Sequence, residues 1–327
     1  MLPRIFIVVP CYNEESVISE TSSRLKEKLN NLISAAEISD SSRVVFIDDG
    51  SKDKTWEMIS RLHENDKLFQ GIRLSKNRGH QNALLAGLMT VREIADAVIS
   101  MDADLQDDIN AVDQMIEKFK SGCDVVYGVR SSRKTDSAFK RTTAQSYYRM
   151  MDRLGAKTVY NHADYRLMSR KALEALSCFG EVNLFLRGMV PMLGFKTDIV
   201  YYERGVRFAG ESKYPLKKML SFAMEGITSL STKPIKLITS LGFLIFFVSF
   251  LVFVYSIVRF FTGQTVAGWT TTVLSVWAIG GLIMISLGVI GEYIGKIYLE
   301  TKHRPRYIID SYLKDETDSV NINDPAV

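Results

Sequence analysis

The chain of 327 residues lacks the features that several protein classes require. Its three cysteines, Cys11, Cys123 and Cys178, are far apart and have no metal-ligand spacing, so neither a disulfide framework nor a zinc site is predicted. Its 41 Lys and Arg residues are nearly balanced by 37 Asp and Glu residues, and a net charge of +4 does not favour nucleic acid as a partner. No P-loop and no Gly-x-Gly-x-x-Gly fingerprint occurs, so phosphate must be bound in another way.

Charge is also missing from two long apolar stretches in the last third of the chain. Residues 237–258 carry no charged side chain, and a helix of that length reaches ~33 Å, enough to cross a hydrocarbon core of ~30 Å. After a polar Thr-Gly-Gln-Thr turn, residues 269–291 are uncharged as well. The alternative, two buried helices of a soluble core, conflicts with the absence of charge on every helix face. The sequence therefore predicts a transmembrane hairpin within residues 235–295.

The charges that flank the hairpin predict its orientation. Lys213, Lys217, Lys218, Lys233 and Lys236 precede the first span, Lys296, Lys302, Arg304 and Arg306 follow the second, and only Arg259 lies near the outer turn. The positive-inside rule then places both termini in the cytoplasm and makes the chain a multi-pass protein of the cell membrane. Apolar residues recur at helical spacing in 213–234, which predicts an amphipathic juxtamembrane helix, with packing on the soluble domain as the alternative. Residues 296–327 would be a cytosolic tail, and the polar end from Leu313 is expected to be mobile.

Residues 1–212 have the pattern of an α/β domain. Five short apolar runs alternate with stretches of helical character, which predicts a parallel, doubly wound sheet. The predicted strands are Ile5–Val9, Val44–Ile47, Gly71–Leu74, Ala97–Met101 and Val125–Val129.

The residues that follow these strands are polar and acidic. In open α/β sheets ligands bind beyond the carboxyl ends of the strands, so these residues are candidate site residues. Asp102 and Asp104 are the most specific pair, since residues two apart in an extended segment point to the same side and can hold a hard cation through oxygen. An ordinary turn is the alternative for Asp-x-Asp taken alone. A phosphatase of the HAD type also uses Asp-x-Asp, but after its first strand, whereas this pair follows the fourth.

Six strings in order along the chain resemble one family. They are VVPCYNEE at 8–15, FIDDGSKDKT at 46–55, LSKNRGHQNALLAGL at 74–88, MDADLQD at 101–107, DYRLMSR at 164–170 and GEYIGKIYLETKHRPRYII at 291–309. The chain resembles glycosyltransferase family 2, and within it the polyprenyl-phosphate glycosyltransferases of the bactoprenol glucosyltransferase and dolichol-phosphate mannose synthase type with two C-terminal membrane helices.

This resemblance implies a GT-A fold, a Rossmann-like nucleotide-sugar-binding domain that needs a divalent cation, Mg²⁺ or Mn²⁺. It implies that Asp102, Asp104 and Gln106 hold the metal and the diphosphate, and that Asp104 and Asp164 act in catalysis. Arg166 beside Asp164 leaves open a purely structural ion pair. His80 and His162 are weaker candidates for a general base. The nucleotide would be bound by Pro10, Tyr12, Asn13, Glu14, Asp49, Lys76, Arg78 and Asp102.

The acceptor phosphate needs fixed cations near the membrane. The candidates for this role are Arg130, Arg133, Ser212 and Lys213, with contact to anionic lipid head groups as the alternative for the basic residues. Residues 137–154 form a predicted helix that could steer the acceptor or pack in the core.

The function that follows from the resemblance is inverting transfer of one sugar, glucose or N-acetylglucosamine, from a UDP-sugar to undecaprenyl or another polyprenyl phosphate on the cytosolic leaflet. The alternatives are a mannose synthase that uses GDP-mannose and a membrane-anchored nucleotide-sugar sensor or scaffold. A processive polysaccharide synthase would need a Gln-x-x-Arg-Trp motif, which is absent. The predicted partners are the donor, the lipid, the membrane, further copies of the chain, a separate flippase and a downstream transferase.

Overall fold

The computed structural model describes residues 2–131, 162–203, 205, 235, 238–245, 247–248, 251, 255 and 269–315. Within these ranges eight strands form one sheet in the order β7-β5-β6-β4-β1-β2-β3-β8. The strands are β1 (Ile5–Cys11), β2 (Arg43–Asp48), β3 (Phe69–Leu74), β4 (Ala97–Ser100), β5 (Val125–Arg130), β6 (His162–Ser169), β7 (Thr197–Tyr202) and β8 (Ile309–Leu313). The helices are α1 (Ile18–Ser34), α2 (Thr55–Asn65), α3 (His80–Val91), α4 (Ala111–Lys120), α5 (Arg170–Ser177), α6 (Leu186–Met192) and α7 (Trp269–Thr301).

The five predicted strands are confirmed, each within two residues of its predicted bounds. The prediction of a wholly parallel sheet is wrong. Strands β1 to β4 are parallel neighbours or run in the same direction, but β6 lies antiparallel between β4 and β5, and β8 lies antiparallel at the edge beside β3. The fold is therefore α/β with a mixed sheet.

The sheet has an apolar core on each face, because buried residues of the central strands alternate between the two sides. In β1, Ile5, Ile7 and Val9 pack in one cluster with apolar residues of α1, α2 and α4. Phe6 and Val8 pack in the other, with residues of α3, α5 and α6. This three-layer arrangement buries β1 completely and fixes the carboxyl ends of the strands at one edge.

Helix α7 has 33 residues, and its segment Ile279–Thr301 is long and apolar enough to cross a membrane. No residue of that segment is fully buried within the described chain, and most are exposed. The first predicted span, 237–258, lies partly outside the described residues. Its described residues 238–245 are helical, and Leu241, Phe243 and Leu244 among them are exposed. The segments 213–234 and 137–154 lie outside the described residues, so the two-helix hairpin and the juxtamembrane helix stay predictions.

The C-terminal segment after α7 packs on the α/β domain. Tyr307 is buried in the core, and β8 pairs with β3. Beyond β8, Asp315 lies 3.6 Å from Arg43 and 3.5 Å from Lys67. The prediction of a mobile end from Leu313 is therefore wrong for Leu313 to Asp315, because strand pairing and these ion pairs hold them; residues 316–327 are not described.

Candidate active site

The pairing of β4 with β6 brings two distant parts of the chain together at the carboxyl edge of the sheet. Ser100, the last residue of β4, lies opposite Arg166 of β6. Because the two strands are antiparallel, Asp102, two residues after Ser100, approaches Asp164, two residues before Arg166. The Ser100 hydroxyl also donates a hydrogen bond to the Asp164 carbonyl oxygen. His80, at the start of α3, lies between them, with its Nε2 3.6 Å from Asp102 Oδ1 and 3.6 Å from Asp164 Oδ2.

These groups line a cavity of about 320 Å³. Its walls come from the ends of β1, β2 and β4, the start of α3, the start of β6 and the first turn of α6. The lining residues are Pro10, Cys11, Tyr12, Glu14, Asp49, Asn77, Gly79, His80, Ala83, Asp102, Ala103, Asp104, Asp164 and Arg187. Seven of the predicted site residues thus share one cavity: Pro10, Tyr12, Glu14, Asp49, Asp102, Asp104 and Asp164.

Asp102 and Asp104 bring negative charge to this cavity. The Asp102 side chain is 38% exposed, and burial together with the charges of Asp164 and Asp104 raises the pKa of its carboxyl, although His80 opposes the shift. Asp104 accepts a hydrogen bond from the Gln106 N–H, across Leu105, whose φ of 57° turns the chain.

Asp164 differs because arginines hold both of its oxygens. Arg166 donates to Oδ1 at 2.9 Å, and Arg187 donates to Oδ1 at 3.2 Å and to Oδ2 at 2.9 Å. Burial alone would raise the pKa of the Asp164 carboxyl, but the Arg187 charge, His80 and Arg166 hold it well below its ordinary value. Asp164 is therefore ionised at neutral pH and is a poor general base.

His80 is the cationic counterpart of these acids. Burial lowers the pKa of its imidazole, but the hydrogen bond to Asp164 and the charge of Asp102 outweigh that effect and raise the pKa. The two carboxylates thus stabilise the imidazolium form of His80 between them.

Asp49 shapes the loop between β3 and α3. Its two oxygens accept the backbone N–H groups of Arg78 at 2.7 Å and Gly79 at 2.9 Å. The next residue, Gly50, has φ +67°, and a Cβ there would lie 2.7 Å from the Asn77 nitrogen. Glycine is required at this position because the two loops approach through backbone atoms.

Three predicted nucleotide-binding residues do not line the cavity. Asn13 has φ 55°; its N–H donates to Ser51 Oγ, and its side-chain oxygen accepts from the Lys52 N–H, so it braces the neighbouring loop. Lys76 is exposed on the β3–α3 loop, and Arg78 contributes its backbone N–H to Asp49. From that loop it is Asn77 and Gly79 that reach the cavity.

Gln106 and Arg130 belong to a neighbouring group of residues. Gln106 lines a second cavity of about 370 Å³, together with Arg24, Lys28 and Asp107. Arg130, at the end of β5, donates from Nε to Tyr202 Oη at 3.3 Å and lies 3.8 Å from Asp107. Arg133, Ser212 and Lys213 lie outside the described residues, so the predicted acceptor-phosphate site is described only at Arg130.

The residues present fit a hard divalent cation. Among the described residues no group of three or more His, Cys, Asp or Glu side chains has the arrangement of a metal cage. Asp102 and Asp104 nevertheless offer carboxylate oxygens to an open cavity, and a pair of carboxylates suits an ion that keeps positions for phosphate oxygens. Burial and the neighbouring charges of Asp164 and Asp104 raise the pKa of the Asp102 carboxyl, and a bound cation would stabilise its ionised form.

Arg187 is the residue that sequence reasoning missed. It reaches the cavity from the first turn of α6, whose other residues are apolar, glycine or proline. The signal was a single charge within residues 184–195, which otherwise read as core. A charged residue alone in such a stretch needs a buried partner, and Asp164 is that partner.

Comparison with known proteins agrees with the geometry. The model of glycosyl transferase family 2 matches residues 6–177. An uncharacterised glycosyltransferase, YkoT of Bacillus subtilis strain 168, is 52% identical over 314 residues, 96% of this chain and 93% of that protein. The bactoprenol glucosyl transferase of Shigella phage SfV is 39% identical over 308 residues, 94% of this chain and 98% of that protein.

A solved structure, the mannosyltransferase PcManGT from Pyrobaculum calidifontis in complex with GDP-Man and Mn²⁺, is similar with a TM-score of 0.44 and 18% identity over 91% of this chain and 85% of that chain. The family match spans β1 to α5 and so includes the strand ends that carry Asp49, Asp102 and Asp164. The mixed α/β sheet and the family match together support a GT-A-like fold. The chain therefore belongs to glycosyl transferase family 2 and is a glycosyltransferase.

Proposed function

We propose that the protein transfers one sugar, glucose or N-acetylglucosamine, from a UDP-sugar to undecaprenyl or another polyprenyl phosphate, with inversion at the anomeric carbon. The observation that carries the proposal is the cavity in which Asp102 and Asp104 lie beside the arginine-bound Asp164, in a chain whose apolar helix α7 is docked on the same domain. The relatives named bactoprenol glucosyl transferase support a lipid phosphate as acceptor, because they align with 94% of this chain.

The donor would lie along the ends of β1, β2 and β4. Pro10, Tyr12, Glu14 and Asp49 line the part of the cavity assigned to the base and ribose. Asp102 and Asp104 would hold Mg²⁺ or Mn²⁺, and this ion supplies positive charge that stabilises the departing diphosphate.

The nucleophile needs little activation. A lipid phosphate has a second pKa of about 6, by analogy with phosphorylated side chains, so it is largely dianionic near pH 7. Asp164 need not remove a proton, which agrees with its lowered pKa and with its two arginine partners. Its role would be to orient the acceptor or the sugar hydroxyls and to hold Arg187 at the cavity wall.

The acceptor phosphate would meet fixed cations on the membrane side. Arg130, 26% exposed at the end of β5, is the described candidate, and Arg133, Ser212 and Lys213 are proposed to complete the site. We also propose a two-span topology with the catalytic domain in the cytoplasm, self-association, and partners that flip the lipid-linked sugar and use it as a donor. A flippase is needed because a sugar head group cannot cross hydrocarbon unaided.

A substrate panel tests the proposal. Purified enzyme would be given UDP-glucose, UDP-N-acetylglucosamine or GDP-mannose with undecaprenyl phosphate, and the lipid product would be followed by mass spectrometry. We expect transfer from a UDP-sugar. Transfer from GDP-mannose alone would overturn the donor assignment, and no transfer to any lipid phosphate would overturn the acceptor assignment.

Two further measurements test the acceptor site and the topology. Arg130→Ala should raise the apparent KM for polyprenyl phosphate much more than that for the donor; equal changes would remove Arg130 from the acceptor site. Tags at both termini should be protected in sealed right-side-out vesicles, while a tag within residues 262–268 should be accessible. The reverse pattern would separate the enzyme from a cytosolic donor.

A further inference from the structure

The end of helix α7 is joined directly to a loop of the catalytic domain. Glu300 accepts hydrogen bonds from the Val182 N–H at 2.9 Å, the Asn183 N–H at 2.8 Å and the Asn183 side-chain amide at 2.6 Å. The same amide donates to the Lys296 carbonyl oxygen at 3.3 Å. One carboxylate on the candidate membrane helix thus binds three N–H groups of the segment between α5 and α6.

This segment leads within four residues to the active site. Leu186 donates its N–H to the side chain of Gln81 at 2.9 Å, and its carbonyl oxygen accepts from Arg166 at 3.4 Å. The next residue, Arg187, makes the two-bond contact with Asp164. The four residues from the anchored Asn183 to Arg187 span at most ~14 Å of chain, so the path that would transmit a shift of Asn183 to Arg187 is short.

Other contacts of the C-terminal segment strengthen the connection. Arg306 donates to the Phe179 carbonyl oxygen at 2.8 Å. Tyr307 packs in the same apolar cluster as Leu184 and Leu186. The chain from Glu300 to Tyr307 therefore binds the segment 179–186 at Phe179 and at residues 182–183, and it shares an apolar cluster with Leu184 and Leu186.

Helix stability does not account for a glutamate at this position. Glu300 lies in the last turn of α7, at the negative end of the helix dipole, where a carboxylate is unfavourable. What a glutamate gains at this position is its hydrogen bonds to the backbone N–H groups of residues 182–183.

We infer that Glu300 is a positioning residue, which fixes the Arg187–Asp164 pair at a set height above the bilayer. The inference rests on the proposed transfer to a lipid phosphate, because such an acceptor stays at the level of the head groups and the catalytic groups must be held at that level. Glu300 touches neither substrate; it acts through the 182–187 segment and Arg187.

A double-mutant cycle tests this coupling in the full-length enzyme. Arg187→Ala should lower kcat by about 10²-fold, as expected for loss of a charge at the reacting centre. Glu300→Ala should lower kcat by about 10-fold, as for other groups that orient a catalytic residue, with the donor KM changed by less than about 2-fold. In the Arg187→Ala background, Glu300→Ala should lower kcat by less than about 2-fold more, since the residue through which it acts is gone.

Glu292 provides the matched control. It is an exposed glutamate on the same helix, more than two turns earlier. Glu292→Ala should leave kcat unchanged in both backgrounds. Glu300→Gln keeps one acceptor oxygen, so its kcat should lie between those of wild type and Glu300→Ala. This variant replaces Glu300→Ala in the test if the alanine variant does not fold.

Hydrogen exchange gives a readout that does not depend on activity. In Glu300→Ala or Glu300→Gln, amides 182–187 should exchange faster than in wild type, while those of β1 should not change. Additive losses of kcat in the cycle, or unchanged exchange at 182–187, would overturn the inference. If wild type transfers no sugar to lipid, the proposed function fails while the exchange comparison still decides the coupling.

Discussion

The active-site cavity contains two kinds of carboxylate. Asp102 is 38% exposed, has a raised pKa, and meets its nearest described cationic group, His80, at 3.6 Å. Asp164 is 9% exposed, has a lowered pKa, and is bound by Arg166 and Arg187. The same edge of the sheet thus carries two different carboxylates. Asp102 is open to a cation, whereas the charge of Asp164 is already balanced by arginines.

The largest effect is expected at the carboxylates that are proposed to hold the cation. Asp104→Asn should lower the transfer rate on the order of 10³-fold, because it weakens the stabilisation of the diphosphate leaving group. EDTA should abolish wild-type activity, and Mg²⁺ or Mn²⁺ should restore it. Glu57→Gln, at an exposed glutamate of α2, is the control and should behave as wild type. Full activity in chelator would refute the metal assignment.

The compensated carboxylate should respond differently. Asp164→Asn should lower kcat by about 10²-fold, since one charge-assisted contact at the reacting centre is lost, while UDP-sugar affinity by calorimetry stays within a few-fold. The wild-type rate should not rise tenfold per pH unit between pH 6 and 9, because Asp164 is ionised throughout that range. Near-normal turnover of the variant would show that Asp164 has no catalytic role.

The two arginines should separate stability from activity. Arg166 is 1% exposed and Arg187 is 33% exposed, although both bind Asp164. Arg166→Met should lower the free energy of unfolding by about 3 kcal/mol, because it breaks a buried ion pair. Arg187→Met should lower the free energy of unfolding by about 1 kcal/mol or less, and its main effect should be a lower kcat. Thermal unfolding with initial rates on the same samples checks this, and equal losses of stability would contradict it.

The smallest effect concerns the loop that supports the nucleotide side. Gly50→Ala should destabilise the protein by about 2 kcal/mol, through its positive φ and the contact with the Asn77 backbone. Gly122→Ala is the matched control, since its φ is +89° but the new Cβ would meet only Lys196 Nζ at 4.0 Å. Gly122→Ala should lower the free energy of unfolding by about 1 kcal/mol. If the two losses measured by denaturant unfolding are equal, the contact between the loops contributes nothing.

The five strands that were predicted from the sequence are those whose own residue pattern identifies them. Each is a short apolar run bounded by polar residues, and burial of such runs is decided locally. Strand direction is not decided locally. β6 and β8 lie antiparallel to their neighbours, and neither run has an apolar pattern as plain as that of β1.

Only part of the site was predicted, because some of its contacts depend on the fold and not on the local sequence. Asp102 and Asp104 share one strand end, so spacing sufficed to pair them. Asp164 was assigned by resemblance, and its position beside Asp102 depends on the β4–β6 register. Arg187 lies in an apolar stretch of the chain, and only the fold shows that it points to Asp164 rather than into solvent.

The position of β8 limits how the soluble part of this enzyme can be isolated. β8 follows helix α7 in the chain, yet it covers the edge of β3 and pairs Gly71, Ile72 and Arg73 with Leu313, Tyr312 and Ser311. A protein cut before residue 269 would expose an unpaired strand edge and lose Tyr307 from its core, and such edges recruit other chains into aggregates. A well-behaved soluble version therefore requires residues 304–315 to be rejoined to the domain by a linker in place of the helix.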